Sequence, residues 1–338
     1  MAATLVIRLS SLGDVAIAIP VAYSVAEKYP DDKFIFLTKS AWQSLFVNAP
    51  SNLTVFPVYT NGKHKGIRGI IRLLREISQL INVEEVKVAD LHGVMRSFLI
   101  DCYFKFKGKQ TSIIDKGRRE KQKLVRQKNK IMQPLKTSID RYREVFQKLG
   151  YEPSLSFTGL FSEKTAKEQI LIGIAPFAKH QGKTYPLEQM EEVVRRLSEL
   201  PDLQITLLGS KEESKQLEIW TKTHKKVTLV AGKMTLQEEL SLMNQMDLAV
   251  SMDSANMHLA SLVNTPVISI WGATHPFAGF YGFNQNKSNI VQTDLPCRPC
   301  SIFGNKPCIR GDYACLKQIT PEMIVDKIRK FIENNRQQ

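Results

Sequence analysis

The stretch "RLSSLGDV", residues 8–15, decides the fold, because it separates an apolar strand candidate from an apolar helical run. A turn from strand to helix through Ser10, Ser11 and Gly13 places Asp14 at or near a helix start, at the carboxyl edge of a sheet. In open α/β sheets, ligands bind at that edge. Two interpretations of Asp14 stay open: a helix cap, or a carboxylate that accepts a proton from a substrate hydroxyl.

Strand and helix patterns alternate outward from this stretch along the chain. Apolar runs such as "KFIFLT" (33–38), "LTVFPV" (53–58) and "ILIGIA" (170–175) predict strands, and amphipathic segments between them predict helices. This alternation is typical of βαβ units on parallel sheets. We therefore predict an α/β protein with two Rossmann-like, doubly wound domains that face a central cleft.

The domain boundary is predicted where Gly, Pro and Ser follow a helix and precede a new apolar strand, near residues 149–169. This gives a first domain at 1–155 and a second domain at 165–320. The last segment, 321–338, is predicted to form a helix that packs across both domains.

The composition indicates a globular protein with an anionic partner. The 338 residues are 43% hydrophobic and carry 47 basic against 33 acidic side chains, a formal net charge of +14. Many basic residues, Arg118 and Arg119 among them, fall within 105–143. Two interpretations stay open for this region: a solvated surface, or a positively charged surface that binds an anionic acceptor. Aromatic residues are sparse there, so nucleic acid is not expected. No apolar run reaches the roughly 18 residues of a membrane span, and we expect a cytoplasmic protein, soluble or peripheral to the inner membrane.

A second polar junction, "DLHGVMRS" (90–97), follows the next strand on the same sheet edge as Asp14. His92 and Arg96 there are candidates for contacting the acceptor. The alternatives are a hydrogen-bonded structural histidine and a solvated arginine.

Candidate residues for binding a diphosphate are inferred from the phosphate-binding motifs that the chain lacks. It has no G-x-G-x-x-G after the first strand, no phosphate-binding P-loop and no D-x-D pair, so a bound diphosphate must be met by Lys, Arg and helix N-termini. In "SMDSANMHLA" (251–260), the N–H groups around Ser254 and Ala255 can face a phosphate. Asp253 either caps this helix, accepts bonds from sugar hydroxyls or orients a lysine, and His258 is either a donor contact or a packed helix residue.

The loop "PFAKHQGKTYP" (176–186) lies beyond an apolar strand, at its ligand-facing end. It contributes Ala178, Lys179 and Lys183 to the predicted donor site, and Lys183 can neutralise a leaving diphosphate. Glu212, after the next strand, can hold ribose hydroxyls, although a first-turn helix residue is an equally good interpretation.

Four cysteines, Cys297, Cys300, Cys308 and Cys315, lie close together in sequence. We hypothesise a structural zinc site, with reduced or adventitiously paired thiols as the alternative.

Taken together, "RLSSLGDV", "P-F-A-x-x-x-x-K-x-Y-P" (176–186), "DSANMHLA" (253–260) and "WGATHPFAGFYG" (271–282) resemble the bacterial heptosyltransferases of glycosyltransferase family 9. The resemblance implies a GT-B fold and metal-independent, inverting transfer of heptose from ADP-heptose to the lipopolysaccharide inner core. The acceptor would then be an anionic glycolipid at the inner membrane surface. Two alternatives stay open: another nucleotide sugar as donor, or a basic protein that binds nucleic acid or acidic lipid.

The resemblance also implies roles for individual residues. Asp14 matches the general base, Lys183 the lysine that contacts the diphosphate, and Asp253 the aspartate that orients the sugar. Ser254 and Ala255 match a phosphate-facing turn. The chain departs from the family pattern at three positions, where the family commonly has Gly, Gly and Trp: Ala255, Phe177 and Tyr185.

Overall fold

The computed structural model describes residues 2–81, 85–165 and 169–336. The chain forms two compact units. The first comprises the chain up to Gly117 together with Lys136–Leu160, and the second comprises Arg118–Leu135 and the chain from Phe161 onward.

The first unit is a parallel sheet covered by helices. Its elements are β1 (Ala3–Ile7), α1 (Leu12–Lys28), β2 (Lys33–Lys39), a 3₁₀ turn (Ser40–Leu45), β3 (Leu53–Val58), α2 (Gly66–Leu80), β4 (Val86–Asp90), α3 (Met95–Phe106) and β5 (Gln110–Ile113). Next in the chain come α4 (Arg118–Leu124), which belongs to the second unit, and α5 (Ser138–Gln147). The strand order is β3-β2-β1-β4-β5. Because the order reverses between β1 and β4, the crevice at which such sheets bind ligands opens where these two strands end.

Alternate residues of β1 contribute to the core of this unit. Leu5 and Ile7 pack with Leu73 and Ile77 of α2 and with Ile100 of α3. The apolar faces of α2 and α3 thus cover the same face of the sheet, and both helices are fixed relative to the ends of β1 and β4.

The second unit repeats this architecture. Its elements are β6 (Ile170–Ala175), a 3₁₀ turn (Gln181–Lys183), α6 (Leu187–Ser198), β7 (Leu203–Leu207), α7 (Ser214–Thr223), β8 (Val227–Leu229), α8 (Leu236–Gln245), β9 (Leu248–Met252), α9 (Ala255–Leu262), β10 (Val267–Trp271), 3₁₀ turns (Pro276–Ala278 and Lys287–Asn289), β11 (Ile290–Gln292), α10 (Ala314–Lys317) and α11 (Pro321–Arg336). The strands pair in parallel in the order β11-β10-β9-β6-β7-β8. The order reverses between β6 and β9. Two doubly wound units are therefore confirmed.

The segment 118–135 differs from the predicted domain boundary, because it joins the second unit. The ammonium of Lys130 donates to four backbone carbonyls in residues 296–299, at 2.8–3.2 Å. The N–H of Leu135 donates to the carbonyl of Phe277 at 2.9 Å. A half-buried ammonium needs several acceptors, and these carbonyls hold this part of the basic region in the second unit.

The C-terminal helix also differs from its prediction as a tail across two domains. Ile324, Val325 and Ile328 of α11 are fully buried in the core of the second unit, and α11 packs against α6. It is therefore an integral part of that unit. No helix within the described residues is long and apolar enough to cross a membrane.

Candidate active site

Asp14 is both a helix cap and a partly accessible carboxylate. Its Oδ2 accepts hydrogen bonds from the N–H and the hydroxyl of Ser11, both at 3.0 Å, and lies 2.6 Å from Nη2 of Arg8. No donor among the described residues contacts Oδ1, and the side chain is 30% exposed. Capping therefore occupies one oxygen and leaves the other available to a ligand.

The surroundings of Asp14 keep it ionised. Burial raises the pKa of this carboxyl, but the charge of Arg8 and the hydrogen bonds from Ser11 outweigh burial, and the net pKa lies below its ordinary value. Arg8 is itself held in place, because Nη1 donates to the carbonyl of Leu91 at 2.8 Å and the guanidinium lies 5.9 Å from the ring centre of Tyr142. The site presents a fixed carboxylate of low basicity.

His92 lies at the same sheet edge as Asp14. Its Nε2 is 3.3 Å from the hydroxyl of Ser10, and the carboxylate of Asp90 accepts the backbone N–H groups of His92 (2.7 Å) and Gly93 (2.9 Å). Burial, together with nearby positive charges such as that of Arg8, lowers the pKa of His92 to about 3. The imidazole is thus neutral at physiological pH and can hydrogen-bond a hydroxyl, but it does not attract an anion through charge.

The other acceptor-side candidates lie in different surroundings. Gly13 is buried in the first turn of α1, and Arg96 donates from Nη1 to the carbonyl of His64 at 3.2 Å. Arg118 and Arg119 are exposed at the start of α4 and belong to the second unit. Their predicted place in the first domain is wrong, because the segment they begin is held by contacts of the second unit.

In the second unit, Lys183 and Asp253 form an ion pair, with 2.8 Å between Nζ and Oδ2. The hydroxyl of Thr274 donates to the same Oδ2 at 2.8 Å. Asp253 is only 2% exposed, whereas the Lys183 side chain keeps 16% of its surface exposed. Lys183 follows β6 and Asp253 follows β9, so the pair lies where the strand order of this sheet reverses. Of the three interpretations of Asp253, this ion pair favours the one in which it orients a lysine.

The aliphatic stem of Lys183 passes close to Gly304. A Cβ at position 304 would lie 2.5 Å from Cγ of Lys183, and Gly304 has a φ of +71°. Only glycine fits both this close approach and this backbone conformation at low cost. The backbone before the lysine is fixed as well, because Gly182 accepts a hydrogen bond from the N–H of Ala273 at 2.8 Å. Both the backbone before Lys183 and the aliphatic part of its side chain are therefore held in place.

The start of α9 follows Asp253 directly. Ser254 is the N-cap residue, its hydroxyl lies 3.2 Å from that of Ser251, and Ala255 is the first helical residue. Both Ser254 and Ala255 are half-buried. His258 is buried in the same helix, in agreement with its interpretation as a packed residue.

The remaining donor-side candidates lie in loops after β6 and β7. Ala178 is half-buried, and its carbonyl accepts a hydrogen bond from the hydroxyl of Thr184, whereas Lys179 is exposed. Glu212 is exposed just before α7, and hydrogen bonds from its own backbone N–H and from Ser210 lower its pKa. Its carboxylate is therefore available to a ligand in ionised form.

The described residues do not support the zinc hypothesis. The cysteines at 297, 300, 308 and 315 are free and line one pocket. Within residues 2–81, 85–165 and 169–336, no three His, Cys, Asp or Glu side chains are placed to hold a metal ion. The Sγ of Cys300 lies 3.8 Å from the carbonyl oxygen of Ala273.

Three residues at these sites were not among the predicted ones: Arg8, Thr274 and Gly304. Arg8 and Thr274 both follow strands at the ligand-binding edge, and this position in the sequence could have identified them as candidate site residues. Gly304 lies in the cysteine-rich loop, far from Lys183 in sequence, and the sequence holds no signal for their contact.

Comparisons with known proteins agree with this architecture. The family model for "Glycosyltransferase family 9 (heptosyltransferase)" matches residues 86–307, which include Lys183, Asp253 and Thr274. The lipooligosaccharide heptosyltransferase 2 of Campylobacter jejuni is 23% identical over 330 residues, covering 96% of each chain.

Two solved structures share the fold over almost the whole length. The glycosyl transferase family 9 protein from Veillonella parvula has a TM-score of 0.76 at 18% identity, covering 98% of each chain. Escherichia coli heptosyltransferase WaaC with ADP has a TM-score of 0.67 at 19% identity, covering 98% of this chain and 99% of that one. The predicted GT-B fold is confirmed. With about two thirds of its residues matched by the family model, the chain belongs to glycosyltransferase family 9, the heptosyltransferases.

Proposed function

We propose that this glycosyltransferase transfers heptose from ADP-heptose to the inner core of lipopolysaccharide, with inversion and without a metal ion. The observation that carries the proposal is the carboxylate of Asp14, with Oδ2 held by Arg8 and Ser11 and Oδ1 left for a substrate hydroxyl. Membership of family 9 supports heptosyl transfer. The similarity to a lipooligosaccharide heptosyltransferase supports the acceptor, and the fold shared with a heptosyltransferase solved with ADP supports the donor.

The proposed reaction is a single displacement. The acceptor hydroxyl oxygen attacks the anomeric carbon of the heptose, the bond from that carbon to the diphosphate breaks, and ADP leaves with the electron pair. The hydroxyl proton passes to Oδ1 of Asp14. Because the pKa of Asp14 is lowered, the transfer must come late, when the attacking oxygen has become acidic. One displacement inverts the anomeric configuration.

On the donor side, Lys183 balances the charge that develops on the departing diphosphate. Asp253 and Thr274 hold its ammonium in place before the reaction, so that little reorganisation accompanies bond cleavage. The N–H groups at Ser254 and Ala255 face a phosphate oxygen. The other donor contacts of the proposal are Ala178, Lys179, Glu212 and His258.

On the acceptor side, the hydroxyls of Ser10 and Ser11 and the neutral imidazole of His92 contact sugar hydroxyls, while Arg96 meets an acidic group. Arg118 and Arg119 are further acceptor contacts of the proposal. The acceptor is an anionic glycolipid, and the protein works in the cytoplasm at the inner membrane surface.

Product analysis tests the reaction. The purified protein is incubated with ADP-heptose and a truncated core acceptor in the presence of a chelator, and the product is analysed by mass spectrometry and by NMR of the anomeric centre. We expect addition of one heptose with inverted configuration. Transfer from a different nucleotide sugar alone would overturn the donor, retention would overturn the single displacement, and activity that needs an added divalent ion would overturn metal independence.

A further inference from the structure

The solvent-exposed face of α3 is apolar. Met95 is 77% exposed and Phe106 is 89% exposed, and Phe98 and Leu99 between them are exposed as well. These positions, i, i+3, i+4 and i+11, lie along one side of the helix. Four large apolar side chains in one exposed row form a patch that a monomeric soluble surface rarely carries without a partner.

The opposite face of α3 carries polar groups into the interior. Ser97 and Asp101 are buried. A surface helix of a globular protein usually turns its polar side outward. In α3 this pattern is partly reversed, because polar side chains are buried and large apolar side chains are exposed. The exposed apolar row therefore does not contribute to the core.

The neighbouring helix α2 carries exposed positive charge. Arg68, Arg72 and Arg75 are exposed at positions i, i+4 and i+7, along one side of α2. The helices are neighbours, since the hydroxyls of Ser78 in α2 and Tyr103 in α3 lie 3.3 Å apart. In the described part of the chain, none of the three arginines forms an ion pair with a carboxylate.

We propose that this surface docks the protein on an anionic lipid bilayer. The docking surface comprises Met95, Phe98, Leu99 and Phe106 of α3 and Arg68, Arg72 and Arg75 of α2. The apolar row enters the boundary between headgroups and acyl chains, and the guanidinium groups bind lipid phosphates, for which their planar donors are suited.

Charge complementarity favours a bilayer over a second copy of the chain. An anionic leaflet attracts basic residues, whereas two copies that each carry a net charge of +14 repel each other. The position of the surface fits a membrane-borne acceptor. Met95 comes three residues after His92, whose ring contacts Ser10 beside the Asp14 site. Only this last point rests on the proposed function.

Vesicle binding tests the arginines. Co-sedimentation of the full chain is measured with phosphatidylglycerol-containing vesicles and with pure phosphatidylcholine vesicles, without donor or acceptor. Each basic residue near an anionic surface adds about a fivefold factor to partitioning, so R68Q/R72Q/R75Q is expected to weaken binding about a hundredfold. The control K222Q/K225Q/K330Q changes the same charge at exposed positions of the second unit and is expected to change binding less than fivefold.

The apolar row is tested with F98A/F106A, which is expected to weaken binding at least tenfold. Its control is I219A, because Ile219 is also exposed, on α7 of the second unit. Thermal unfolding checks that each variant is folded, which is expected since all these side chains are on the surface.

Binding that falls equally in variant and control would overturn the docking surface, as would a wild type that does not distinguish anionic from neutral vesicles. A concentration-dependent dimer that the variants abolish in sedimentation velocity would assign the surface to self-association instead. Transfer to an acceptor without acyl chains separates the two proposals. If the variants fail only with the membrane-embedded acceptor, docking is supported. If the wild type transfers heptose to neither acceptor, the proposed function fails while vesicle binding stands.

Discussion

The ion pair between Lys183 and Asp253 allows the structural and the chemical roles of the lysine to be separated. Replacing Lys183 by Met leaves the carboxylate of Asp253, which is 2% exposed, with the hydroxyl of Thr274 as its remaining contact among those described above. Removing one partner of a buried pair costs about 3–5 kcal/mol, and we expect about 3 kcal/mol because the lysine is partly exposed. If the ammonium also balances charge on the leaving diphosphate, kcat falls about 100- to 1000-fold.

The double variant K183M/D253N distinguishes these two effects. It removes both charges, so the stability is expected to return to within about 1 kcal/mol of the wild type. The activity is not expected to return, because the Lys183 ammonium then no longer faces the diphosphate. Urea unfolding followed by circular dichroism measures the first quantity, and the rate of ADP release at saturating substrates measures the second.

The control for these variants is K222M, which removes an exposed lysine of the same unit and is expected to leave both quantities unchanged. A double variant with kcat within threefold of the wild type would refute the reasoning, since the lysine would then serve only to neutralise Asp253. Loss of stability that persists in the double variant would contradict the assignment of the stabilisation to the charge pair.

Three further predictions concern the first unit. D14N is expected to lower kcat about 100- to 10,000-fold while calorimetry finds ADP binding unchanged. R8M removes the cation that depresses the pKa of Asp14, so the acid limb of the kcat/KM profile is expected to move to higher pH. The depressed pKa also stabilises the folded chain at neutral pH, and this stabilisation is lost as the pH falls. In R8M that stabilisation is expected to be smaller when unfolding is measured as a function of pH. Burial and the charge of Asp90 raise the pKa of Asp101 from 3.8 to about 8. Between pH 3.8 and about pH 8, the Asp101 carboxyl therefore stays protonated in the folded chain and is ionised in the unfolded chain. The free energy of unfolding is thus expected to fall as the pH rises through this range. D101N is expected to remove that slope, and an unchanged slope would contradict the assignment.

Where an apolar run is short and ends in turn residues, the sequence was enough to place the strand. The runs "LTVFPV" and "ILIGIA" have the same bounds as β3 and β6. The strands β5 and β11 were not predicted, because four or three residues with few apolar side chains give no periodic signal. The helix α7 begins only at Ser214, because the carboxylate of Glu213 accepts the N–H of Ser210 and holds a turn before the helix.

The candidate sites were predictable to the extent that they depend on strand ends. Asp14, Lys183 and Asp253 each follow an apolar strand, so the βαβ pattern alone places each of them at the ligand-binding edge of its own sheet. Their partners do not follow from it. The contact of Thr274 with Asp253 depends on the path of the chain after β10, and the neutral state of His92 depends on its burial. Neither the contact nor the burial can be predicted from the spacing of residues in the local sequence.

The two aspartates share an arrangement, and their difference in exposure separates their roles. In each, Oδ2 is bound by a cation and by a hydroxyl: Arg8 and Ser11 for Asp14, and Lys183 and Thr274 for Asp253. The Asp14 side chain is 30% exposed and that of Asp253 is 3% exposed. A general base must reach the proton that it removes, which suits Asp14, whereas a buried carboxylate suits the positioning of a lysine. The helix cap and the proposed general-base role of Asp14 therefore do not compete, because each uses a different oxygen.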